Sequence, residues 1–326
     1  MGVPAAVPNL LKPTDDAGEG FAARICLPFL NRTRNADGGW GYRPGTSSAV
    51  EPTAWALLAF AKADSESEAA RRGLDWLLGA RNDDGSWPTR PETGEGNWVT
   101  PLAALAVVAL NGPEEAIAGA AKWLCQSRTG ERSFRMRLSR LLARKGVVDQ
   151  DFSLQGWSWT PGTSSWVEPT ALALILLRHT PPPMAPPEID ERRRIGEALL
   201  YDRMCATGGW NAGNPKVYGV SGIPQVWPTA WALIALQEHA KREENRRSLD
   251  WLSGYFDSIG SPTSLALAHL ALEASGWPAP ALEPELDLQF HSQRFLNDVV
   301  AFAQAAFALR TGPDVLRWAV HGSSNP

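Results

Sequence analysis

Two kinds of helical segment alternate along this chain. The first is apolar nearly all the way round: 52–62, 100–110, 169–178, 228–240, 262–274 and 298–310 are rich in Ala and Leu and carry few charges. A helix without a polar face is buried on both sides. The second kind is amphipathic and charged. Arg71-Arg72-Gly73-Leu74-Asp75-Trp76-Leu77 recurs as Arg246-Arg247-Ser248-Leu249-Asp250-Trp251-Leu252, and 116–128 carries Trp123 at a related position. Segment 313–320 carries Trp318, while 20–33 and 188–205 fill the same role with Phe29 and Tyr201. The alternation predicts an outer ring facing water around an inner ring facing a core. About six such hairpins fit the sequence, enough to close an all-α α6–α6 barrel, a single toroid over residues 1–326. Residues 275–297 are Pro-rich and short of helical pattern where the sixth outer helix belongs, so an open α-solenoid stands as the alternative.

The hairpins are joined by one repeated phrase: Gly-Trp, a Gly/Pro-rich loop, then Pro-Thr at the head of an apolar helix. Gly39-Trp40 through Glu51-Pro52-Thr53-Ala54 aligns without a gap on Gly156-Trp157 through Glu168-Pro169-Thr170-Ala171. Looser copies run from Trp87 to Trp98-Val99-Thr100-Pro101 and from Trp210 to Trp227-Pro228-Thr229-Ala230. Proline is favoured at the first helical position, where its missing N–H costs nothing. Two copies are lengthened. One insertion, about 128–148, holds Arg132, Arg135, Arg137, Arg140, Arg144 and Lys145 among Phe134, Leu138, Leu141 and Leu142 at helical spacing. It reads either as a membrane-surface contact, lid, partner site or diphosphate holder, or as a solvated outer helix. The other, Asn211 to Gln225 with Tyr218, lengthens the fourth loop over the same rim.

Composition changes this picture little. A net charge of −4 gives no electrostatic reason to expect a nucleic-acid partner. Three scattered cysteines fit a reducing compartment without disulfides, and no apolar run is long enough to span a bilayer. The expectation is a cytoplasmic protein, with 132–145 as its candidate peripheral membrane contact. Fifteen tryptophans against four tyrosines is the anomaly, because indole suits both wedging between helices and lining a greasy pocket.

Each inner helix starts at one rim, so the residue before its proline marks one level: Glu51, a Trp98/Thr100 level, Glu168, Trp227, Ser261, and Asp298 in the copy lacking proline. Glu51, Glu168 and Asp298 are the candidate acid/base groups. A carboxyl in an apolar cavity has its pKa raised and becomes a proton donor. The plainer reading is that acids at helix N-termini serve the macrodipole. With inner axes roughly 10 Å apart, Glu51 and Glu168 are too distant to share a proton, whereas Glu51 and Asp298 become neighbours if hairpin six closes on hairpin one. Candidate substrate-binding residues are Trp55, Trp98, Trp159, Trp166, Tyr218, Trp227, Trp231 and Phe302, with Phe302 matched to Trp55 and Trp231. Aromatic faces also stabilise carbocations.

The Gly-Gly-Trp…Pro-Thr-Ala-Trp-Ala-Leu pattern resembles the repeats of squalene-hopene and oxidosqualene cyclases, and at lower similarity those of protein prenyltransferase β subunits, over roughly 20–310. The resemblance implies an α6–α6 barrel, a hydrophobic isoprenoid ligand and acid-initiated cyclisation or isomerisation. The cyclases protonate with Asp-x-Asp-Asp ahead of an inner helix. Here the middle acid falls on Glu51 or Glu168, its neighbours being Ala49 or Trp166 and Pro52 or Pro169. Asp149-Gln150-Asp151 is the nearest literal echo. The prenyltransferase zinc needs a cysteine where this chain reads Gln225-Val226-Trp227-Pro228-Thr229, and Cys205 and His269 read as packing residues, so neither metal nor cofactor is expected. Two other functions remain open: a non-catalytic lipid-binding or protein-interaction toroid, and a carbohydrate-active toroid with paired carboxylates.

Overall fold

The computed structural model describes residues 20–61, 64–130, 150–310 and 312–317. Arg132–Lys145 of the basic insertion, Asp149 and Trp318 lie outside the described residues. Each hairpin is an outer helix followed by an inner one. They are α1 (Leu27–Thr33, entered through a π-helical turn, Ala22–Cys26) with α2 (Val50–Phe60), and α3 (Glu68–Gly79) with α4 (Val99–Ala109). Next come α5 (Glu114–Gln126) with α6 (Val167–His179), and α7 (Ile189–Asp202) with α8 (Val226–Ala235). The last two are α9 (Glu243–Tyr255) with α10 (Pro262–Ala274), and α11 (Leu282–Gln293) with α12 (Val299–Arg310). A short α13 (Gly312–Leu316) packs on α10 and α12. A two-stranded ribbon, β1 (Lys216–Val217) with β2 (Val220–Ser221), decorates the fourth loop.

The inner helices contact one another in the order α2, α4, α6, α8, α10, α12 and back to α2. The ring is closed, and the fold is an all-α α6–α6 barrel rather than an open solenoid. Residues 275–297, the doubtful stretch, supply α11, its Pro284 falling in the first helical turn. The same displacement recurs elsewhere. Pro52, Pro101, Pro169 and Pro228 sit third in their helices, and only α10 begins on its proline, Pro262. All of the first turn's N–H groups lack an intrahelical acceptor, so proline is tolerated throughout it.

The repeated phrase is a hydrogen-bonded brace. The backbone N–H of Trp40, Trp87, Trp157 and Trp210 donates to the hydroxyl of Thr53, Thr100, Thr170 and Thr229 at 2.8–3.0 Å. Each hydroxyl donates back to the same tryptophan's carbonyl. Each indole N–H donates to a carbonyl of the preceding outer helix, at Leu30, Leu77, Leu124 and Leu200. Every polar atom of a buried Trp–Thr pair is thereby satisfied where water is absent. Glycine on the outer helix admits the ring: a Cβ at Gly73 would lie 2.7 Å from Trp40, and one at Gly196 would lie 2.9 Å from Trp157.

A second set of bonds links hairpin to hairpin. N–H groups at the inner-helix N-termini donate to the carbonyl two residues after a repeat tryptophan in the next loop round the ring. The pairs are Val50 to Thr89 (3.0 Å), Trp98 to Trp159 (3.4 Å), Val167 to Ala212 (3.1 Å) and Val299 to Tyr42 (3.0 Å). The last pair is the seam where hairpin six meets hairpin one, and Arg43 adds a guanidinium bond to the Leu296 carbonyl at 2.6 Å. No helix among the described residues is long and apolar enough to cross a membrane.

Candidate functional site

All six inner helices run the same way, so their N-termini encircle one mouth. The braces fix the register of what faces inward. Two residues after each brace threonine stand Trp55, Leu102, Leu172 and Trp231, and the same count from Thr263 gives Leu265. These positions form one level of the barrel wall. Trp55 and Trp231 meet across it from opposite helices, ring centroids 6.0 Å apart, and Phe307 closes on Trp55 at 5.9 Å.

One turn nearer the mouth lie Glu51 on α2, Glu168 on α6 and Trp227 on α8, each four residues before its partner below and so on the same helix face. Trp227 packs edge-on against Trp231 at 6.3 Å. Its side chain hydrogen-bonds to Glu168, the neighbouring helix's carboxyl. Glu168 is half-buried, and its pKa is pushed up to about 8. Loss of hydration is the first cause, the Trp227 bond opposes it, and the charge of Glu51 adds to it. Burial raises the pKa of Glu51 too, countered by the Tyr42 hydroxyl donating at 2.6 Å and reinforced by the charge of Asp298. Desolvation disfavours the charged form of a carboxyl, and a second negative charge nearby disfavours it further.

Asp298 is brought to the same mouth by closure of the ring. Its Oδ1 accepts the N–H groups of Val300 (2.9 Å) and Ala301 (3.3 Å), capping α12. Tyr42 was not among the residues singled out in the sequence. Its position two residues after a repeat tryptophan is the signal that would have found it, because that is where each loop meets a neighbouring inner helix.

The aromatic candidates divide. Trp55, Trp227 and Trp231 gather on the lumen side beside the carboxyls. Trp98 meets Trp159 edge-to-face at 4.9 Å and borders a cleft shared with Trp123 and Leu124 of α5, between the second and third hairpins. Trp166 borders another cleft with Arg203, Phe152 and Gly213. Tyr218 stands 76% exposed at the tip of the β1–β2 ribbon. Phe302 faces outward and stacks on Phe29 of α1 at 3.7 Å. The seam bond explains why: Val299 corresponds to Val50 and Val167, so the counterpart of Trp55 on α12 is Gln304, and Phe302 corresponds to Thr53. Cys205 and His269 stay apart in role, Cys205 buried just beyond α7 and His269 bonded to the Pro280 carbonyl.

The family model for the squalene-hopene cyclase C-terminal domain matches residues 10–100. Among curated proteins no relative matches. Among solved structures, a protein from Actinoplanes is similar at 18% identity and a TM-score of 0.57, covering 89% of this chain and 98% of that one. Two variants of the type II terpene cyclase MstE from Scytonema are similar at 14% identity and a TM-score of 0.53 over 90% of this chain. One, 97% covered, is in complex with geranylgeranyl dihydroxybenzoate; the other, 96% covered, is in complex with merosterolic acid A. The family match thus covers residues 10–100, and the likeness to the solved structures is one of fold, over about nine-tenths of this chain.

Proposed function

We propose that the protein is an acid-initiated terpenoid cyclase or isomerase acting on an isoprenoid held between the carboxyl level and the Trp55–Trp231 level. The observation that carries this reading is Glu168: a carboxyl at the barrel mouth, bonded to an indole, with a pKa near 8. At neutral pH it is mostly protonated, the state a general acid needs. The complexes of the MstE variants with a geranylgeranyl substrate and its product support an isoprenoid ligand for a barrel of this type.

In the proposed step the Glu168 O–H adds its proton to a terminal alkene of the substrate. The alkene's π electrons form the new C–H bond and leave a tertiary carbocation, and a neighbouring alkene closes a ring onto it. The Trp227 N–H steadies the carboxylate left behind, while the faces of Trp55, Trp227 and Trp231 stabilise the migrating cation. Glu51, held by Tyr42, receives the proton lost at the end, so product and substrate have the same mass. Asp298 acts through its charge on Glu51.

The test is mass spectrometry and chromatography of organic extracts after incubation with squalene and with prenyl diphosphates. The expected result is an isomer of unchanged mass. Glu168→Gln lowers its rate by roughly 10²–10⁴-fold, the contribution of a positioned acid. In the wild type the rate falls as pH rises through about 8, because the acid form is consumed. Recovery of bound but unchanged isoprenoid from the wild type favours a lipid carrier. Turnover unaffected in Glu168→Gln removes the assignment of the acid.

A further inference from the structure

The Trp55 level is aromatic or aliphatic on five helices and polar on the sixth. Gln304 occupies the α12 position, 2% exposed, and neither its Oε1 nor its Nε2 has a hydrogen-bond partner among the described residues. The indole Nε1 of Trp231, 1% exposed at the same level on α8, likewise has none. A buried, unpaired amide is destabilising, so an apolar residue would serve packing better. Its direction is fixed by its neighbours on α12. Phe302, two residues earlier and so roughly 200° round the helix, faces α1, while Phe307, one turn on, touches lumen-facing Trp55. Gln304 therefore faces the lumen, one turn deeper than the carboxyl level.

We propose that Gln304, with the indole N–H of Trp231, is a hydroxyl-recognising subsite in the barrel lumen, and that the ligand is an isoprenoid bearing an oxygen function rather than a pure hydrocarbon. The inference rests on the isoprenoid reading above and adds the ligand's polarity. The donor set selects the group. An amide offers a donor and an acceptor, and the indole offers a further donor. A hydroxyl donates to Oε1 and accepts from an N–H, using both kinds of partner. A carbonyl oxygen leaves Oε1 unpaired, and an alkyl end leaves all three atoms unpaired. A hydroxyl at this depth lies about one helical pitch, roughly 5 Å, below Glu51 and Glu168. The subsite thus sets which end of the chain enters first.

The experiment measures quenching of tryptophan fluorescence by geranylgeraniol and by the C20 hydrocarbon with the same polyene chain, each delivered in detergent. Wild-type protein is expected to bind the alcohol at least about tenfold more tightly, as a site built around a ligand hydroxyl discriminates against its loss. Gln304→Leu is expected to erase that preference, chiefly by weakening the alcohol, and to raise the melting temperature. Trp231→Phe is expected to reduce the preference in part. Gln304→Met, equally apolar but flexible, repeats the measurement if the leucine variant folds poorly. An alcohol preference that survives both Gln304 variants, or is absent from the wild type, overturns the subsite. It then means that the amide is satisfied by water alone. If neither probe binds the wild type, the isoprenoid reading fails, and the subsite with it.

Discussion

The first four hairpins and the last two reach the same geometry by different means. Hairpins one to four are held by the Trp–Thr brace, in which every buried polar atom has a partner and each indole hooks the outer helix behind it. Hairpin six has neither the tryptophan nor the threonine. It is held by phenylalanines: Phe21, Phe290, Phe295 and Phe302 form a mutually packed cluster, and Phe29 of α1 stacks against Phe302. Its approach to α12 runs through Arg294–Asn297, four successive residues with φ between 47° and 56°. Left-handed backbone costs ordinary residues about 1–2 kcal/mol each, so the phenylalanine cluster must offset it. Directional bonds define register; apolar packing tolerates several registers.

Three experiments sharpen this contrast. Trp210→Ala and Phe302→Ala should both be severe, each costing about 3–5 kcal/mol of stability in chemical denaturation, because both empty a large buried volume. The hairpins part company under a smaller change. Thr170→Val keeps shape but strands the Trp157 N–H, for an expected loss of about 1–3 kcal/mol. Phe302→Leu removes no polar partner and should cost less. If Thr170→Val proves neutral, the brace is packing with incidental hydrogen bonds, and the distinction collapses.

The third uses pH, which acts on hairpin three through Glu168. Its native pKa of about 8 lies above the ordinary carboxyl value, so the folded chain keeps a proton that the unfolded chain has already lost. Stability conferred by that proton is full below the unfolded pKa and declines as pH rises toward 8, by up to about 1.4 kcal/mol per unit. Urea midpoints from pH 5 to 8 should fall less steeply in Glu168→Gln. Equal slopes would show that the carboxyl is not protonated in the native protein.

Legibility follows the same division. Where Gly-Trp and Pro-Thr punctuate the chain, helix starts were readable to within about two residues, the error arising because proline is tolerated throughout the first turn. Where punctuation is missing, the reading slipped. Phe302 was matched to Trp55 because both are aromatic residues in an inner helix, yet the Val299–Tyr42 bond sets α12 so that Gln304 takes that place. The helix Leu282–Gln293 was hidden by Pro278, Pro280 and Pro284, only the last of which is helical. Glu51, Glu168 and Asp298 were readable as a mouth because inner-helix N-termini share one end. Their environments were not: the Trp227–Glu168 bond joins two hairpins, and the Tyr42–Glu51 bond depends on how the first hairpin's own loop folds back over α2.

Closure of the ring has a consequence for how the chain comes apart. An open stack of helical hairpins has two ends, and either can fray by giving up a single interface, so such stacks lose structure unit by unit. In a closed circle of six, every unit is flanked on both sides. The first to leave must surrender two interfaces at once and obtains no freedom until it has. The join that makes the stack a circle is the one where Tyr42 and Arg43 grip Val299 and Leu296. Opening there turns a ring into a solenoid, after which the remaining hairpins can peel away in succession.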